Sequence, residues 1–254
     1  MDSQSHSDRI HKIVVLNPKG GSGKTTLATN LASFFATRGP APTLADCDPG
    51  GYSLRWLEKR PDDRPKVYGV SAHEYCDRND LRDTLRAWPG SNQLIVDLPA
   101  AVRSDRLFYQ TYDADSILIP IVPSEIDIYS AAGFIADLLL VAQLDRRNRN
   151  VAIVANRTKH YTNSYRMLMR FLNSLDIPVI AEFRDCQSFV FAAANGIGIC
   201  EMPRHKVRLD LMHLERVVKW LDGWRMRKLD ASVSPGFEHI GDSALLTPAV
   251  GKHH

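Results

Sequence analysis

"LNPKGGSGKTT" (residues 16–26) follows the apolar run "IHKIVVL" (10–16) and opens onto a helical pattern. Gly23-Lys24-Thr25 completes the phosphate-loop pattern G-x-x-x-x-G-K-[ST], but the glycine expected at its first position falls on Pro18, and a second lysine, Lys19, follows directly. A strand that enters a glycine-rich turn and leaves as a helix aims several backbone N–H groups, and the positive end of the helix, at one point. That arrangement suits a polyphosphate. Gly20, Gly21 and Gly23 allow close approach of the backbone, with Ser22 and Thr26 completing the loop; Lys24 is expected to reach the β- and γ-phosphates, and Thr25 to offer a hydroxyl to Mg²⁺.

Outward from this loop, short apolar runs recur: "PTLADC" (42–47), "QLIVDL" (93–98), "SILIPIV" (116–122), "VAIVAN" (151–156) and "PVIAEF" (178–183). They alternate with helical candidates at 24–37, 78–88, 104–112, 127–143, 163–175, 186–195 and 208–226. Near-continuous apolar strands between amphipathic helices predict a doubly wound α/β fold, its mostly parallel sheet covered on both faces. In such folds ligands gather at the carboxyl ends of the strands. The chemically suggestive residues fall there: 17–26 after the first run, 46–51 after the second, 97–101 after the third and 156–157 after the fifth. One domain over 1–228 is expected, and "LDASVSPGFEHIGDSALLTPAVGKHH" (229–254), with little periodicity, reads as a flexible tail.

Lys19 has no local explanation, because a second buried cation beside Lys24 is costly without added negative charge. "KGGSGKTT" matches the deviant Walker A signature K-G-G-x-G-K-[ST], and the chain resembles the ParA/MinD superfamily over about residues 10–226. The resemblance implies that Lys19 crosses a dimer interface to the partner's nucleotide, making Lys19 and Lys24 catalytic as well as ATP-binding. In "ADCDPGG" (45–51) it implies that Asp48 positions the attacking water and that Asp46 supports Mg²⁺; Gly50 stands where the family usually has glutamine. Asp97, ending "LIVDLPA" (94–100), fits the Walker B position that holds Mg²⁺. Ala100 and Ala101 depart at the usual glycine. The resemblance assigns Asn156 and Arg157 to the base of ATP. In "IPIVPSEIDIYSAAGF" (119–134), Ser124 or Asp127 is expected to cap a helix that shapes the dimer face.

Composition is that of an ordinary globular chain, with 44% hydrophobic and 24% charged residues. No run approaches the roughly 18 apolar residues of a membrane span, and the N-terminus lacks a signal-peptide core, so a cytoplasmic protein without a stable membrane anchor is expected. Four scattered cysteines suggest reduced thiols and give no cluster spacing. Residues 204–228 hold eight Lys/Arg against three Asp/Glu, a local +5 that exceeds the +3 of the whole chain. Arg204, Lys206 and Arg208, placed just before the last helix, with Lys159 and Arg184, are the candidates for salt-sensitive, non-specific DNA contacts. A solvated helix face is the plain alternative. The resemblance then implies an ATP-dependent homodimer, nucleoid-associated, that positions a plasmid, chromosome or protein microcompartment and is stimulated by a cargo-bound adaptor. A dethiobiotin-synthetase-like enzyme and a MinD-like membrane ATPase are the alternatives.

Overall fold

The computed structural model describes residues 10–75, 86–100, 104–111, 113–140 and 150–227. The expected helix at 78–88 falls largely outside these residues, and the tail at 229–254 does so entirely. Seven strands, β1 (His11–Val15), β2 (Thr43–Asp46), β3 (Tyr68–Ser71), β4 (Gln93–Asp97), β5 (Ser116–Ile121), β6 (Val151–Thr158) and β7 (Val179–Arg184), form one sheet in the order β3-β2-β4-β1-β5-β6-β7. Every pairing is parallel. The helices are α1 (Lys24–Ala36), α2 (Tyr52–Glu58), α3 (Ser104–Thr111), α4 (Glu125–Leu140), α5 (Asn163–Asn173), α6 (Gln187–Ala194) and α7 (Arg204–Asp222), with a 3₁₀ turn at Ile199–Glu201.

Alternation along the strands builds a core on each face. Val14, Leu16, Val96, Ile117 and Ile119 pack with Phe134, Leu138, Leu168 and Leu172 of α4 and α5; Ile13, Val15, Leu44, Ile95 and Val154 pack with Leu27, Leu31, Leu214 and Val218 of α1 and α7. Each such side chain contributes about 1.5–3 kcal/mol when fully buried, which is why both faces of a central strand are apolar. The doubly wound expectation therefore holds. Two elements were not anticipated. β3 is a four-residue edge strand whose residues alternate between half-buried and exposed, and α2 is a seven-residue helix that buries only Ser53 and Trp56. The last helix also starts earlier than expected. Pro203 precedes its first turn, so Arg204, Lys206 and Arg208 lie within α7 rather than before it.

A buried ion pair fastens the far end of α2. Arg60 donates to both carboxylate oxygens of Glu201, at 2.6 and 3.0 Å, with side-chain exposures of 5% and 3%. Glu201 also accepts from Ser33 Oγ on α1 (2.6 Å) and from the Gly198 N–H (2.9 Å). Burial works against the Glu201 carboxylate, but Arg60, Ser33 and Gly198 outweigh it and hold its pKa below the usual range.

Candidate functional site

Parallel register brings the acidic strand ends to one place. Asp97 is the register partner of Val15 on one side and of Asp46 on the other, so both carboxylates stand beside the loop that leaves β1. That loop turns into α1 through Gly23, whose φ of 93° is left-handed and whose missing side chain leaves room for the Asn156 amide. The first turn of α1 carries no acidic residue and no side-chain cap, leaving its N–H groups and dipole for an anion. Two asparagines tie the loop to neighbouring strands. Asn17 donates to the Pro120 carbonyl (2.7 Å) and accepts from the Lys19 N–H (2.8 Å), while Asn156 donates to the Ser22 carbonyl (2.8 Å).

The two lysines are placed differently. Lys24 is buried, donates to the Lys19 carbonyl (3.3 Å) and lines a cleft of about 740 Å³. Burial lowers its pKa, opposed by the charges of Asp97 and Asp48. The half-buried Lys19 side chain forms no ion pair among the described residues and does not line that cleft. Asp97 is fully buried. Its Oδ2 accepts from Ser53 Oγ at 2.6 Å, whereas Oδ1 has no partner, and burial pushes the pKa up to about 6 against the pull of Ser53, Thr25 and Lys24. Ser22 Oγ is likewise buried without a partner. Orphaned buried polar atoms are uncommon; one of these lies in the loop and the other on the strand beside it.

Asp46 and Asp48 divide their tasks. Asp46 accepts the Asp48 N–H on Oδ1 (3.0 Å) and the Ser53 and Leu54 N–H groups on Oδ2 (2.8 and 3.1 Å). Expected to support Mg²⁺, it also anchors the turn and the start of α2 through these three backbone donors. Asp48 lines the cleft, and its Oδ1 accepts the Gly50 N–H (2.7 Å). Cys47 lies buried between them, and Cys186 and Cys200 are free thiols. Asn156 lines the cleft while holding the loop, so loop support is its observed contact. Arg157 follows with a left-handed φ of 52°, a costly conformation for a side-chain-bearing residue, and also lines the cleft.

Beyond the phosphate loop the cleft has a wall that the sequence did not reveal. Phe189, Val190 and Ala193 of α6 line it with Tyr52 and Cys186, giving an apolar surface opposite polar strand ends. At α4, Ser124 accepts the Asp127 N–H (3.1 Å) and bonds its carboxylate, the cap expected there. The basic candidates separate into two groups. Arg184 donates to the fully buried Asp210 at 2.5 and 3.1 Å, and Lys159 pairs with Asp185 at 2.9 Å. Lys206 and Arg208 are exposed and without an ion pair among the described residues, and the exposed Arg204 meets Glu215 only at 3.7 Å.

Residues 13–199 match the model of the CobQ/CobB/MinD/ParA nucleotide-binding domain. The chain belongs to that family. Maintenance of carboxysome distribution protein A of Halothiobacillus neapolitanus is 28% identical over 77% of this chain and 89% of its own length. Among solved structures, apo McdA of Cyanothece aligns with a TM-score of 0.63 at 13% identity, over 83% of this chain and all of that one. A putative plasmid partition protein of Borrelia burgdorferi bound to AMPPNP aligns at 0.59 and 12% identity, over 87% and 99%. The protein is thus a ParA/MinD-type ATPase. No helix among the described residues is long and apolar enough to cross a membrane.

Proposed function

We propose that this ATPase is a nucleotide-gated homodimer that binds DNA without sequence preference and positions a cargo over the nucleoid, with an adaptor on the cargo stimulating hydrolysis. The observation that carries the dimer is the division of the lysines: Lys24 lines its own cleft, while Lys19 is held by its backbone and does not line it. A cation so placed is available to a nucleotide on a second subunit. Relatives named for carboxysome distribution, aligned over 77% and 84% of this chain, favour a protein microcompartment as cargo. Mg²⁺ fits Thr25 and Asp97, since the unpartnered Asp97 Oδ1 is a buried anionic oxygen in need of a cation. When bound, the ion would neutralise phosphate charge. Asp48, at the cleft surface, is the group to orient the water that attacks.

DNA binding rests on Arg204, Lys206 and Arg208 in the first two turns of α7; Arg184 and Lys159 already face carboxylates and contribute less. Binding should require ATP and fall with salt by a log–log slope of about −0.9 per phosphate contact. Gel shifts on unrelated duplexes with ATP, ADP and no nucleotide test this. Neutralising the three residues to Gln should flatten the slope by about 2–3. No shift with ATP at low salt would remove the DNA reading.

A further inference from the structure

Tyr52 has no assigned task, yet its surroundings are built for it. It is 56% exposed, high for a large aromatic, and it lines the nucleotide cleft together with Asp48. Its ring lies over residue 50: a Cβ there would come 2.8 Å from the ring Cζ, closer still to a neighbouring ring atom, and 3.0 Å from Asp48 Oδ1. A side chain at residue 50 would therefore displace the ring. Gly51, at a φ of 62°, provides the turn that sets Tyr52 at the start of α2, and the Arg55 guanidinium stands 5.8 Å from the ring centroid. The same ring also lines a second cleft of about 330 Å³, shared with Thr29, Arg55, Trp56 and Lys59. Tyr52 thus borders both spaces, beside Asp48.

We propose that Tyr52 is a positioning residue for ATP hydrolysis, its ring closing the Asp48 end of the nucleotide cleft against the neighbouring basic cleft, with Gly50 kept small to seat it. This rests on Asp48 as the group that orients the water. The ring acts through confinement: a water held beside Asp48 reacts from a narrower range of positions than one exchanging through an open wall, and misplacement of reacting groups by about 1 Å costs on the order of a hundredfold. Binding energy for ATP comes from Lys24 and the loop backbone, so the effect falls on turnover rather than affinity. Two rotatable bonds make tyrosine cheap to hold in one place, and the shape of the ring, not its hydroxyl, is what the wall uses.

The test is steady-state and single-turnover hydrolysis by the full chain with Mg·ATP, with thermal melting alongside. Tyr52→Ala should lower kcat by about ten- to a hundredfold, with KM for ATP changed less than about twofold, and Tyr52→Phe should restore turnover. Gly50→Ala should reproduce the kcat loss by displacing the ring, and should add nothing in the Tyr52→Ala background. The proposal is overturned if Tyr52→Ala leaves kcat intact, if the loss appears in KM, or if Gly50→Ala still lowers kcat once the ring is gone. Asp48→Ala, measured in parallel, separates the two levels. Full turnover without Asp48 overturns its role and this one with it; lost turnover without Asp48 but normal turnover without the ring overturns only the role of Tyr52.

Discussion

Replacing Asp97 by Asn separates the stability of the site from its chemistry. The Asp97 carboxyl is 1% exposed, has one oxygen on Ser53 and one without a partner, and burial raises its pKa from 3.8 to about 6. Each pKa unit corresponds to about 1.4 kcal/mol, so keeping this group ionised without a metal costs on the order of 3 kcal/mol above pH 7. The sign follows from the direction: a carboxyl that holds its proton more tightly when folded destabilises the fold above about pH 6, and the penalty fades as pH falls toward 4. Asn keeps the shape and can still accept from Ser53, but its amide needs a partner of its own, which offsets about 1–2 kcal/mol. In EDTA at pH 8, urea unfolding followed by tryptophan fluorescence should show Asp97→Asn more stable than wild type by about 1–2 kcal/mol, with the advantage shrinking at pH 5. Adding Mg·ATP should stabilise the wild type and invert the order. A variant less stable than wild type in EDTA at pH 8, or an advantage that grows with acidity, would refute this account of the buried charge.

Lys19→Gln should leave nucleotide affinity of the monomer nearly unchanged and remove ATP-dependent dimerisation, read by fluorescent-nucleotide titration and by light scattering after gel filtration; equal loss of both would return Lys19 to the local cleft. Glu201→Ala, which strands the buried Arg60, should lower unfolding free energy by about 3–5 kcal/mol. In the wild type the depressed Glu201 pKa means that this contribution is present at neutral pH and lost as pH falls through the acid range.

What could be seen in the sequence follows from how local each feature is. Six strands and the phosphate loop are written in contiguous residues, and Lys24, Asp48 and Asp97 arrive at the site because strand ends in a parallel sheet share one edge. β3 escaped notice because an edge strand of four residues with Gly69 has neither length nor apolar continuity. α2 escaped because it starts immediately after an Asp-Pro-Gly-Gly turn. Asp46 was placed on the correct face, but its contacts run to N–H groups seven and eight residues away on an unrecognised helix. The pairing of Arg184 with Asp210 joins two elements 26 residues apart, and no spacing rule marks it. Apolar residues of α6 read as core until their exposure is known: Val190 is 58% exposed beside the cleft.

α2 is held at three points. Its first turn hangs from Asp46, the Trp56 indole donates to the Ile197 carbonyl at 3.2 Å, and Arg60 just past its end grips Glu201, which also holds Ser33 of α1. Three residues after Glu201 the basic helix α7 begins. A short helix pinned at both ends cannot absorb a displacement by bending; it passes it on or breaks a buried pair at a cost of about 3–5 kcal/mol. It therefore ties the turn at Asp46 to the 3₁₀ turn that leads into the cationic helix, so the segment carrying Asp48 and the start of α7 are fastened to the same short element.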